Sequence, residues 1–179
     1  MSGAGDPRLA PIRAAIRDVP DFPKPGIVFK DITPLLGDPA LFRQTMELMA
    51  EMCADLKADH VVAIESRGFI FGGALADRLG AGFVPVRKPG KLPWRRVTRT
   101  YALEYGTDAL EMHQDALGPG ARALVVDDVI ATGGTARAVG ELVEQLGATV
   151  AAHVFLVELG FLDGRGKLAG YDVRSLVRY

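Results

Sequence analysis

From residue 61 onward, short apolar runs alternate with segments of helical periodicity, and this alternation restricts the chain to very few architectures. Val61 to Ile64, Phe83 to Val86, Ala121 to Val126, Thr149 to Leu159 and Tyr171 to Val177 read as strands. Phe69 to Leu79, closed by Gly80, and about Thr135 to Leu146, ended by Gly147, read as helices. Strands that are apolar along their whole length bury both faces, which requires a mostly parallel sheet covered by helices on each side. Ahead of this region, Leu9, Ile12, Ile16 and Val19 recur at helical spacing. Pro20, Pro23, Pro25 and Gly26 then forbid helix, so a short helix should lead into an extended loop ending at Phe29. Leu41, Met46, Leu48, Met49, Met52 and Leu56 predict an amphipathic helix from about Pro39 to Lys57, with its methionines and Cys53 as core filler. Thr100 to Tyr105 and Ala109 to His113 read as two extended arms around Gly106.

Composition narrows the class. The 179 residues are 49% hydrophobic and 24% charged, which suits one globular domain spanning 1–179. Cys53 is the single cysteine, so neither an intrachain disulfide nor a cysteine zinc site is expected, and a reducing, cytoplasmic setting follows. Lys plus Arg number 21 against 22 Asp plus Glu, which leaves no basic surplus for nucleic acid. No apolar run approaches the roughly 20 residues of a membrane helix, and no membrane or export role is expected. His60, His113 and His153 lie in separate segments without the spacing of a metal site. Leu162 to Lys167 reads as a surface turn.

Chemistry concentrates after the most apolar strand. In Ala123-Leu-Val-Val-Asp-Asp-Val-Ile-Ala-Thr-Gly-Gly-Thr135 a buried-type strand delivers two acids and then a loop of small residues at a helix start. Gly133 and Gly134 let backbone N–H groups approach an anion, Thr132 and Thr135 add hydroxyls, and the helix dipole favours a phosphate there. Carboxylates beside a phosphate repel it unless they accept hydrogen bonds from sugar hydroxyls or face a cation, so Asp127 and Asp128 suit a ribose diol. A ribose 5-phosphate fits both halves. The glycine patterns of Walker-type NTPases and of dinucleotide-binding folds are absent from the sequence.

Read whole, Val125 to Thr135 closely resembles the phosphoribosyl-pyrophosphate (PRPP) signature of type I phosphoribosyltransferases. Three further segments resemble the adenine phosphoribosyltransferase family: Asp21-Phe-Pro-Lys-Pro-Gly-Ile-Val-Phe-Lys-Asp31, Glu65-Ser-Arg-Gly-Phe-Ile-Phe-Gly72, and Arg87-Lys-Pro-Gly-Lys-Leu-Pro93 followed by Tyr101-Ala-Leu-Glu-Tyr-Gly106. The resemblance runs from about Ile12 to Tyr179. It implies an N-terminal hood at about 12–35 and a flexible catalytic loop at about 87–113. The implied reaction is a purine-salvage step, adenine plus PRPP to AMP plus pyrophosphate, with Mg2+ held mainly through PRPP and a homodimer as the assembly.

The same resemblance implies roles residue by residue. Ala131, Thr132, Gly133, Gly134 and Thr135, with Asp127 and Asp128, would hold the ribose phosphate. Glu65, Ser66, Arg67 and Gly68, with Arg87, Lys88 and Lys91 of a basic loop, would bind pyrophosphate, and the Glu65–Ser66 peptide is expected to be cis. Arg95, Arg96 and Arg99 match more loosely and suit a solvated face equally. Glu104 would handle a proton on the purine imidazole ring while N9 bonds to ribose C1, and Asp128 would help to stabilise positive charge on the ribosyl ring. Ile27, Val28, Phe29 and Lys30 would line the base, although Lys30 stands where some relatives have Arg. Two alternatives stay open: a phosphoribosyltransferase for a 6-oxopurine, and a regulator that keeps the pocket as a PRPP sensor.

Overall fold

The computed structural model describes residues 6–102 and 106–179. The chain divides into two compact units, Met1–Met52 and Cys53–Tyr179.

The first unit opens with α1 (Leu9–Ala15), shorter than the helical spacing of Ile16 and Val19 predicts. Instead of an extended loop, β1 (Arg17–Pro20) and β2 (Val28–Asp31) form an antiparallel hairpin in which Val19 faces Phe29. The residue before a proline is pushed into extended backbone, which takes Val19 out of the helix and into the ladder. The hairpin turn holds Asp21 at φ 57°, a cis Phe22–Pro23 peptide and Gly26 at φ 85°. The Asp21 carboxylate accepts the Gly26 N–H at 2.7 Å. Asp31 accepts from the Thr33 N–H at 2.9 Å and pairs with Arg17 at 2.6 Å. The Thr33 N–H first, then Arg17, lowers its carboxyl to about 2. Helix α2 (Thr33–Gly37) follows, and Asp38 caps α3 (Pro39–Cys53) through the N–H groups of Ala40 and Leu41. As expected, Met46, Met49, Met52 and Cys53 are buried.

The second unit is a five-stranded sheet in the order β4-β3-β7-β8-β9, formed by β3 (His60–Ile64), β4 (Gly82–Val86), β7 (Arg122–Ile130), β8 (Thr149–Glu158) and β9 (Val173–Arg178). Every neighbouring pair is parallel. The central strand β7 is apolar from Ala123 to Val126 because it is covered on both faces. It continues four residues beyond the predicted end at Val126, so Asp127 and Asp128 are strand residues rather than loop residues. Helix α4 (Gly68–Leu79) buries Gly68, Phe71, Gly72, Leu75 and Ala76, a helical stripe, and ends on Gly80 at φ 64°. A Cβ on Gly72 would overlap the Cβ of Ala63, so this glycine sets how closely α4 lies on β3. Helix α5 (Gly134–Gln145) buries Val139, Leu142 and Val143 in one cluster with Val62, Val84 and Val125.

An antiparallel hairpin, β5 (Arg96–Ala102) with β6 (Thr107–His113), leaves the sheet. Its arms are longer than predicted, and Arg96 and Arg99 belong to a strand. Arg99 pairs with Glu141 of α5 at 2.6 Å and Arg96 with the buried Glu111 at 2.9 Å, so the fold itself supplies their anions. Trp94 is exposed. The segment Leu162 to Lys167, predicted as a surface turn, instead holds the end of a 3-10 turn at Gly160–Leu162 and the short helix α6 (Gly164–Lys167).

Candidate active site

Ligands of open parallel sheets gather beyond the carboxyl ends of the strands. Here β3 leads into Glu65 to Gly68, β4 into Arg87 to Lys91, and β7 into Ala131 to Gly134. The first two segments, the end of β7, the start of α5 and the hairpin line a cavity of about 340 Å³ through Glu65, Ser66, Arg67, Lys88, Tyr101, Asp108, Asp127, Asp128 and Thr135. An adjoining recess of about 100 Å³ is lined by Asp127 and by Val129 to Ala136.

The acid pair is asymmetric. Asp128 is 5% exposed and its carboxylate pairs with the Arg67 guanidinium. Burial, then the neighbouring Asp128 charge, pushes the Asp127 carboxyl well above the usual carboxylate range. Asp127 accepts the Asp128 N–H at 2.9 Å. A Cβ on Gly68 would stand 2.8 Å from Asp127 Oδ1, so the bare backbone at the start of α4 makes room for this acid.

The Glu65–Ser66 peptide is cis, as the resemblance implied. The Glu65 carboxylate accepts the Lys88 N–H at 2.9 Å and Arg87 Nε at 3.1 Å, and it pairs with Lys91. Burial opposes the charge of Glu65, but Lys91, the Lys88 N–H and Arg87 together hold its carboxyl below the ordinary value. Arg87 and Lys91 thus reach the site through Glu65. Backbone bonds between Arg87 and Glu111 in both directions, at 2.9 and 2.7 Å, anchor the start of the basic segment.

Helix α5 begins at the phosphate-type loop. Gly133, at φ 78°, is its N-cap, and the first amides of a helix have no carbonyl upstream to accept them. A Cβ on Gly133 would overlap the Gly164 carbonyl oxygen, and one on Gly164 would overlap the Ala131 carbonyl oxygen. Helix α6 therefore braces this loop from behind. Arg165 holds the brace in place by donating two bonds of 2.8 Å to the buried Glu158.

Tyr101, Asp108 and Gly164 are site residues that the sequence reading passed over. Tyr101 and Asp108 face each other in the hairpin register, and Tyr101 OH lies 3.3 Å from both Asp108 Oδ2 and Thr135 Oγ1. One local signal was present: the period of two places Asp108 on the face of the buried Leu110 and Met112. Gly164 had no such signal. Glu104 lies outside the described residues. In the first unit, Ile27 and Val28 are exposed, Phe29 meets Phe22 edge to face at 5.2 Å, and Lys30 pairs with Asp18 at 2.5 Å. None of the histidines belongs to this cavity lining.

The phosphoribosyl transferase domain family matches residues 32–172, the stretch that carries the acid pair, the basic segment and the bracing helix. Adenine phosphoribosyltransferase of Carboxydothermus hydrogenoformans is 59% identical over 94% of this chain and 99% of its own length. This chain belongs to the adenine phosphoribosyltransferase family. The crystal structure of the Thermoanaerobacter pseudethanolicus adenine phosphoribosyltransferase superposes with a TM-score of 0.94 at 54% identity, covering 96% of this chain and 99% of that one. The Saccharomyces cerevisiae adenine phosphoribosyltransferase, solved with an imino-altritol bisphosphate and adenine, gives 0.89 at 43% identity over 94% and 98% of the two chains. The five-stranded parallel sheet with its helices is thus the type I phosphoribosyltransferase fold, and the chain is a transferase. Among the described residues no helix of this adenine phosphoribosyltransferase family member is long and apolar enough to cross a membrane.

Proposed function

We propose that the chain transfers the 5-phosphoribosyl group from PRPP to adenine, giving AMP and pyrophosphate in purine salvage. One observation supports this most directly: a ribose-type acid pair, a phosphate-type helix start and the cations Arg67 and Lys88 line adjoining parts of a single cleft. The 5-phosphate is assigned to Ala131 to Thr135, the ribose hydroxyls to Asp127 and Asp128, and the pyrophosphate to Ser66, Arg67, Gly68 and Lys88. Arg87 and Lys91 add positive charge beside it, held by Glu65.

In the transfer, adenine N9 forms a bond to ribose C1 while the C1–oxygen bond breaks and its electron pair leaves with pyrophosphate. Negative charge grows on the leaving group, where Arg67, Lys88 and Lys91 stabilise it. Asp128, paired with Arg67, is assigned to face the positive charge that develops on the ribosyl ring. Glu104 is assigned the proton released from the purine imidazole ring. Closing of the 87–113 segment over bound PRPP would exclude water from this centre.

Mg2+ takes hard oxygen donors, and it would be held mainly through the oxygens of PRPP and pyrophosphate, with no dedicated protein ligand assigned. When bound, the ion neutralises diphosphate charge. Adenine is assigned to Ile27, Val28, Phe29 and Lys30, where exposed apolar side chains offer a surface for a flat base. A backbone carbonyl aimed at the exocyclic amine would reject a 6-oxopurine by leaving polar groups unpaired. A homodimer in the cytoplasm, built from one 1–179 domain per subunit, completes the reading. The exposed Ile70 and Phe83, with the Phe69–Phe83 ring contact at 5.8 Å, provide an apolar patch that supports the dimer.

The deciding experiment is pyrophosphate release with PRPP and Mg2+, comparing adenine, hypoxanthine, guanine and xanthine against a control without base. Release with adenine alone, matched by AMP, is expected. Release with a 6-oxopurine would reassign the base, and PRPP binding without any release would point to a sensor.

A further inference from the structure

Asp108 stands in the cavity as an acid that neither the ribose nor the phosphate assignments use. It comes from β6 and pairs with the Lys88 ammonium, with side chains 28% and 39% exposed. Burial acts most strongly, against the charge of Lys88, but Asp108 and Tyr101 together outweigh it and hold the ammonium above its ordinary value. Reciprocally, Lys88 above all keeps the Asp108 carboxyl low, so both partners stay ionised. The Lys88 side chain therefore already has a counter-ion, supplied from within the same cavity.

A pyrophosphate oxygen and the Asp108 carboxylate seek the same ammonium, and two anions cannot share it without repulsion. Tyr101 gives Asp108 a second attachment, since its hydroxyl lies 3.3 Å from Asp108 Oδ2, and this holds the carboxylate beside Lys88. We propose that Asp108 is a resident competitor for the pyrophosphate subsite: it neutralises Lys88 when the subsite is empty and must be displaced when pyrophosphate or PRPP enters. The inference rests on the pyrophosphate assignment made above. Its consequence is weaker retention of the leaving group, which favours product release.

The test is calorimetric titration of inorganic pyrophosphate with Mg2+ into the full chain. Asp108→Asn keeps the shape and an oxygen for Tyr101 but removes the charge. It should lower the pyrophosphate Kd by about twofold to fivefold, the worth of a partly exposed ion pair, and leave the AMP Kd unchanged. In a Lys88→Met background the same substitution should produce no gain, a result that general loosening of the hairpin would not give. Tyr101→Phe, which removes the second attachment but leaves the charge on Asp108, should tighten pyrophosphate binding by less than Asp108→Asn does. An unchanged or higher pyrophosphate Kd in Asp108→Asn, in a chain whose wild type forms AMP, overturns the competitor role and leaves the reaction standing. A wild type that neither forms AMP nor binds pyrophosphate overturns both.

Discussion

Gly133 and Gly164 lie backbone against backbone: a Cβ on either would enter a carbonyl oxygen, that of Gly164 in the first case and of Ala131 in the second. The loop that starts α5 is therefore positioned by a segment some thirty residues further along the chain. Glu158, buried at the end of β8, and Arg165 hold that segment in place.

Gly164→Ala should push the 131–134 loop out of register. Overpacking of this kind costs about 1–3 kcal/mol of stability, and a comparable share lost from phosphate binding would raise the AMP Kd about tenfold. Adenine affinity should not change. Urea unfolding with AMP and adenine titrations checks this. A destabilised variant with unaltered AMP affinity would make Gly164 a packing residue only.

Glu104→Gln removes the group assigned to the purine proton. Turnover should fall by about 10²–10⁴ with PRPP affinity nearly unchanged, a split that steady-state kinetics with a separate PRPP titration resolves. Unaltered turnover would rule the proton role out.

Asp128→Asn should weaken PRPP and AMP about tenfold to a hundredfold, the usual worth of hydrogen bonds to a charged group. Adenine binding should be spared. Equal losses for all three ligands would mean that Asp128 supports the fold through Arg67 rather than contacting ribose.

His153 predicts a pH dependence of stability. It is fully buried between Phe155 and Tyr171, and neither ring nitrogen has a hydrogen-bond partner among the described residues. Burial, then the Arg137 charge, lowers its pKa to about 4. Between pH 4 and the ordinary 6.5 the unfolded chain binds the extra proton, so stability is full above this window and falls as pH drops through it, by about 3 kcal/mol from this group. His153→Leu should remove that part of the slope. Urea unfolding at pH 7 and pH 4.5 measures it, and equal slopes in the two proteins would show that His153 does not titrate with folding.

Much of the architecture was legible in the chain. The strands and helices of the second unit lie within a few residues of their predicted bounds, because apolar periodicity and glycine caps are local signals. The exceptions have local causes that acted against the pattern. Val19 had helical spacing, but Pro20 placed it in β1. Asp127 and Asp128 ended the apolar run, yet pairing with β8 carries β7 through to Ile130. A strand in mid-sheet keeps its ladder even where its side chains become polar.

By itself the sequence determined the sheet class, the acid pair, the phosphate-type loop and the family. Only the tertiary structure decided which charges meet: Lys88 with Asp108, Glu65 with Arg87 and Lys91, and Arg67 with Asp128. It also decided that α6 braces the phosphate loop. Periodicity reports which face of an element is buried, whereas ion pairs and close backbone contacts depend on the register between elements distant in sequence, and that register exists only once the sheet has formed.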